Sequence, residues 1–194
     1  DGDTLHRICE ALAGAERDIS PTRFHNSVHN AAAGYWTIAA GSRRPSVSLC
    51  GYDGSFAAGL IEAACQVETE GVPVLLVAYD LPYPDPLYAA RAFAYPLAVS
   101  LLLAPQPVSG TLACLRVEAA PESAALTPFP AALPAELENT PAGRSLPLLA
   151  AVDEAARTWT WTVRVGMLRL RLEHAVLPAT QVGTEREGTL TRLV

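Results

Sequence analysis

Lysine is absent from this chain of 194 residues. Its fourteen basic side chains are all arginine, set against twenty acidic ones for a formal charge of −6. The arginines are scattered, and no basic stripe with interleaved aromatics exists, which excludes a nucleic-acid-binding surface. Cysteine is sparse too: Cys9, Cys50, Cys65 and Cys114 lie far apart with no CxxC pair. That spacing excludes a zinc knuckle and a disulfide framework, and leaves buried small hydrophobes as the expectation. No window approaches the roughly 18 uninterrupted apolar residues of a membrane span. The richest, residues 89–104, is broken by Arg91, Pro96 and Ser100. Internal repeats are lacking, and the opening DGDTLHRICEAL is neither a signal nor a transit peptide. A reduced, cytoplasmic setting is expected.

Apolar character is abundant instead. Half of the chain is hydrophobic and the mean hydropathy is +0.20. That exceeds what a lone domain of this size needs, so an apolar partner interface or ligand channel is expected. One domain spanning 1–194 is the default reading. Residues 119–143, rich in proline and alanine, read as a surface loop, and 178–194 as a weakly patterned tail. The chain enters a helix almost at once, so a preceding N-terminal segment is expected.

The hydrophobic period then orders the elements. Leu5, Ile8, Cys9 and Leu12 share one face of a first helix. Ser20-Pro21 suits a helix start, and a long helix is predicted to run to Ala40 along the face Phe24, Val28, Ala31, Tyr35 and Ile38. Being apolar nearly all round, it should be buried or at an interface. Residues 72–79 (VPVLLVAY) read as a strand covered on both faces, and 110–118 as another. A helix is expected over 145–158. The alternating stretch 159–172 reads as a strand or a hairpin through Gly166, with Trp159 and Trp161 as core or interface anchors.

The chain is organised around residues 45–66, PSVSLCGYDGSFAAGLIEAACQ. A short β-favouring run, Val47 to Cys50, meets the turn Gly51-Tyr52-Asp53-Gly54. A helix-period run follows through Phe56, Leu60, Ile61, Ala64 and Cys65. Strand, tight turn and buried helix is the geometry of a nucleophile elbow. Cys50 and Ser55 are its candidate nucleophiles, although the GxSxG pattern is absent around Ser55. Asp53 is placed to cap the helix. His25 and His29, four apart, suit two ligands on one helical turn, but no third ligand or HExxH glutamate accompanies them. No metal is expected.

The strings FHNSVHNAAAGYW and SLCGYDGSFAAG, within residues 20–118, resemble the β-ketoacyl synthase N-terminal domain, of the thiolase-like superfamily. They also resemble the short chain length factor subunits of aryl polyene ketosynthase heterodimers. The resemblance implies an α/β, thiolase-like half of a ketosynthase fold, with a central mixed sheet layered by helices. It also removes chemistry. In condensing synthases a cysteine stands about eight residues after the proline that opens the elbow strand. Counted from Pro45 that place is Asp53; counted back from the helix it is Gly54. Cys50 falls early, out of reach of the helix dipole that activates a thiol. Neither HGTGT-like nor GFGG-like histidine strings occur.

The implied role is therefore a non-catalytic subunit. It would pair with a catalytic ketosynthase and elongate a polyene or fatty acyl chain carried on the phosphopantetheine of an acyl carrier protein, without a cofactor of its own. Phe24, His25, Ser27, Val28, His29, Asn30, Ala31 and Tyr35 are the implied partner-interface and acyl-tunnel residues. Two other classes stay open: an acyltransferase, condensing or hydrolytic enzyme using Cys50 or Ser55, and a purely structural scaffold for the ketosynthase.

Overall fold

The structure is a computed structural model that describes residues 2–108, 111–153, 160–165, 168–174 and 190–193. The chain divides into two compact units, Asp1–Cys50 with Leu81–Pro96, and Gly51–Asp80 with Leu97–Val194.

The first unit is helical. Helix α1 (Gly2–Ala13) buries Ile8 and leaves Leu5 and Leu12 exposed. Helix α2 (Pro21–Asn26) starts as its sequence dictates. The Ser20 hydroxyl accepts from the Arg23 N–H, and Pro21, which lacks an N–H, sits in the first turn. The long helix predicted to reach Ala40 is broken here. Ser27 caps α2, its hydroxyl and its N–H both donating to the Phe24 carbonyl. Such local side-chain bonds compete with the helical ladder, and helix α3 begins afresh at Ala31–Ala39. In the 81–96 segment, Phe93 is buried with the Tyr83 ring edge-on to it.

The second unit is helix on sheet. Helix α4 (Ser55–Glu70) ends at Gly71, whose φ of 67° is the left-handed conformation that glycine adopts freely. Strands β1 (Val74–Asp80), β2 (Leu97–Ala104) and β3 (Ala113–Ala120) follow, then helix α5 (Leu146–Asp153) and strands β4 (Thr160–Val165), β5 (Leu168–His174) and β6 (Leu190–Leu193). The sheet order is β1-β2-β6-β3-β5-β4. The α/β class and the helix-on-sheet layering are as expected, but every strand pair is antiparallel, where a mixed sheet was expected. Val165 stands opposite Leu168 as in a hairpin. Gly166 and Trp159 lie outside the described residues, as does most of the 178–194 tail.

Phe56, Ala57, Leu60, Ala63 and Val67 of α4 form one core with Val99, Leu101, Leu103, Ala113, Leu115 and Leu148. Each large aliphatic buried this way contributes about 1.5–3 kcal/mol. Gly59 lets α4 approach β1, since a Cβ there would stand 3.0 Å from the Leu76 Cδ1. β1 was expected to be covered on both faces. Only alternate residues are sheltered, and Leu75, Val77 and Tyr79 are exposed.

The end of the 119–143 stretch turns inward. Thr140, Ala142 and Gly143 are buried. The Thr140 hydroxyl accepts from the Gly143 N–H and donates to the Leu137 carbonyl. The Asp80 carboxylate, at the end of β1, accepts from the Ala142 N–H at 2.6 Å. A side chain on Gly143 would collide with the Leu137 carbonyl. Gly143→Ala is therefore expected to destabilise the protein by about 1–3 kcal/mol, read as a lowered urea midpoint. Ile38→Ala, on a residue 78% exposed, should move that midpoint by no more than about 0.5 kcal/mol.

Candidate functional site

The elbow turn keeps its shape but not its expected strand. Residues 45–50 form no regular secondary structure, and Cys50 is exposed. Like Cys50, Cys65 is exposed against the expectation of burial, Cys114 is buried, and Cys9 is exposed. The reason is local for Cys65: it lies outside the apolar face of α4 that runs through Leu60, Ala64 and Val67.

From Gly51 onward the turn is tightly bonded. Tyr52 takes a φ of 53°, unusual for a side chain of its size. Tyr52–Gly54 form a single 3-10 turn that runs directly into α4. The Ser55 hydroxyl accepts from the Gly51 N–H at 3.0 Å and donates to the Tyr52 carbonyl at 2.6 Å. Its proton is thus committed to a carbonyl, where a nucleophilic serine would present it to a base.

Asp53 was expected to cap α4. The cap residue is Gly54, which has no side chain to offer. Asp53 instead pairs with Arg144, its Oδ2 lying 3.3 Å from a terminal guanidinium nitrogen, both side chains a little over one third exposed. Sequence reasoning did not single out Arg144, which comes from 91 residues further along the chain. The loop that carries it is fixed by Thr140, by Ser145 Oγ donating to the Ala142 carbonyl, and by Asp80. The cluster Pro141-Ala142-Gly143 could have flagged a turn there; nothing local names its partner.

The interface candidates lie in the first unit, by themselves. Phe24 and His25 belong to α2, Ser27 through Asn30 to the connecting turn, and Ala31 and Tyr35 to α3. The break removes the single helical face on which they were placed, and His25 and His29 are no longer one turn apart on one helix. Among the described residues no group of three potential metal-binding side chains occurs. The helix–turn–helix is held by the Tyr35 hydroxyl donating to the Asn26 Oδ1 at 2.8 Å and by His25 edge-on to the Tyr35 ring. Neither α2 nor α3 buries a residue, and Phe24, Val28, Tyr35, Trp36 and Ile38 are all exposed. No helix among the described residues is long and apolar enough to cross a membrane.

A family model described as the β-ketoacyl synthase N-terminal domain matches residues 4–164. Among solved structures, the chain is similar to one described as a ketosynthase (ApeO) in complex with its chain length factor (ApeC) from Xenorhabdus doucetiae. The two are 26% identical, with a TM-score of 0.64 over 88% of this chain. The chain spans 63% of the length of the one it matches there. No curated protein matches the sequence.

Ser55→Ala is expected to loosen the elbow turn, leaving the Gly51 N–H without its acceptor. The loss should be about 1 kcal/mol, seen in urea unfolding as a lower midpoint with an unchanged slope.

Proposed function

The chain belongs to the β-ketoacyl synthase N-terminal-domain family, and from that premise we propose that it is a non-condensing subunit of the chain length factor kind. It would pair with a catalytic ketosynthase and help to set how far an acyl chain grows. The observation that carries the reading is the elbow. Register counting puts Asp53 or Gly54 where a condensing synthase of the family needs a thiol; neither carries one, and Asp53 is held in an ion pair with Arg144. A carboxylate is a far weaker nucleophile toward a thioester than a thiolate, and glycine has no nucleophile to offer.

Two observations support the pairing. Among the described residues Phe24, Tyr35, Trp36 and Ile38 of α2 and α3, and Val28 between them, are exposed, which is how an interface looks without its partner. The similar solved structure holds a ketosynthase with its chain length factor. The substrate proposed is an acyl chain on the phosphopantetheine of an acyl carrier protein, a polyene or fatty acyl chain, in the cytoplasm. No cofactor of the chain's own is involved in this reading. Phe24, Ser27, Val28 and Ala31, with His25, His29, Asn30 and Tyr35 around them, are the proposed interface and tunnel contacts. An acyltransferase using Ser55 is disfavoured because that hydroxyl is spent in the turn.

Co-expression with a condensing ketosynthase from the same source should give a complex that co-purifies. Within that complex, Ala31→Trp is expected to shorten the product or stop elongation while the subunits stay together. A product mass spectrum unchanged by the substitution would remove Ala31 from the tunnel, and failure to co-purify would remove the heterodimer.

A further inference from the structure

The elbow of this chain holds an anion, and the surroundings of that anion are built from distant parts of the second unit. Asp53 stands one residue before the cap of α4, a helix of 16 residues. Its counter-charge is Arg144, from a loop locked at four points: Thr140 to Leu137, Gly143 to Thr140, Ser145 to Ala142, and Ala142 to Asp80. Arg144 is not a free surface side chain. Its Nε is buried and lacks a hydrogen-bond partner among the described residues. An unpaired buried N–H is unfavourable, so the packing of the loop, rather than the satisfaction of its own bonds, fixes where the guanidinium lies.

We propose that Arg144 is the positioning residue of an anion seat at the elbow, in which Asp53 takes the place of a thiolate and so closes this subunit to acyl transfer. This rests on the non-condensing reading and adds what enforces it. The seat would favour any anion at position 53, because the Arg144 guanidinium presents positive charge there. A thiol at that position should therefore react as a thiolate more readily than an exposed thiol elsewhere in the chain. Cys50, exposed and three residues away in sequence, supplies the internal reference.

The test is alkylation of Asp53→Cys by chloroacetyl-pantetheine, followed by peptide mapping. The thiolate displaces chloride, forming a carbon–sulfur bond as the carbon–chlorine bond breaks. Residue 53 is expected to label about fivefold faster than Cys50. That ratio should collapse in Asp53→Cys/Arg144→Gln and be largely kept in Asp53→Cys/Arg144→Lys, a rescue that loop packing alone would not give. Equal rates at 53 and 50, or a ratio indifferent to Arg144→Gln, overturn the proposal. Should Asp53→Cys not fold, carbodiimide-driven amidation of Asp53 in the native sequence replaces it. Arg144→Gln is then expected to speed that amidation severalfold, and an unchanged rate overturns the proposal. Neither readout needs a partner. Co-purification with the ketosynthase tests the non-condensing reading separately, so either can fail while the other stands.

Discussion

The burial of one face of α4 against the antiparallel sheet is the constraint on which the second unit depends. Phe56, Leu60, Ala63 and Val67 are all nearly inaccessible and meet Val99, Leu101, Leu103 and Leu115. With each large aliphatic contributing about 1.5–3 kcal/mol, this contact rivals the whole net stability of a domain, about 5–15 kcal/mol. It also fixes where α4 begins. Since the helix cannot slide without withdrawing Phe56 and Leu60 together, the turn at Gly51–Gly54 is delivered to a set place, and Arg144 can meet it from a loop pinned to the end of β1.

The first unit follows the opposite rule. Its apolar residues outnumber those it buries, with Phe24, Trp36 and Ile38 all more than half exposed. Hydrophobic surface on this scale is unfavourable in water and invites association. The outer face of β1, with Leu75, Val77 and Tyr79 exposed, shows the same imbalance. The high mean hydropathy is thus not spread evenly: part of it builds the α4 core, and the remainder lies on surfaces without internal cover.

How much was legible in the sequence differs by element. The α4 period, the start of α2 at Ser20-Pro21 and strands β1 and β3 follow from local pattern, because caps, turns and apolar periods act over a few residues. The single helix from 22 to 40 did not survive. Its apolar period is real, but Ser27 spends its hydroxyl on the Phe24 carbonyl, and no buried face compensates for a strained continuation. The two-sided cover predicted for β1 failed because an apolar run records what a strand could bury, not what lies on both sides of it. At the elbow, register counting left Asp53 or Gly54 where the family has its thiol, and the partner of Asp53 was invisible. Arg144 reaches it only because Thr140, Gly143 and Asp80 fold a distant loop inward, and no local period encodes that.

The elbow also shows how architecture and chemistry separate. Phe56 is almost wholly buried, whereas Asp53, less than one helical turn earlier, keeps a side chain 38% exposed. The core holds the first and barely feels the second. A change at position 53 therefore leaves the packing of α4 intact, and a partly exposed ion pair, contributing at most about 1 kcal/mol, is not needed to hold the fold. An elbow can keep its geometry and stop reacting, because the residues that build it and the residue that would react belong to different layers of the same turn.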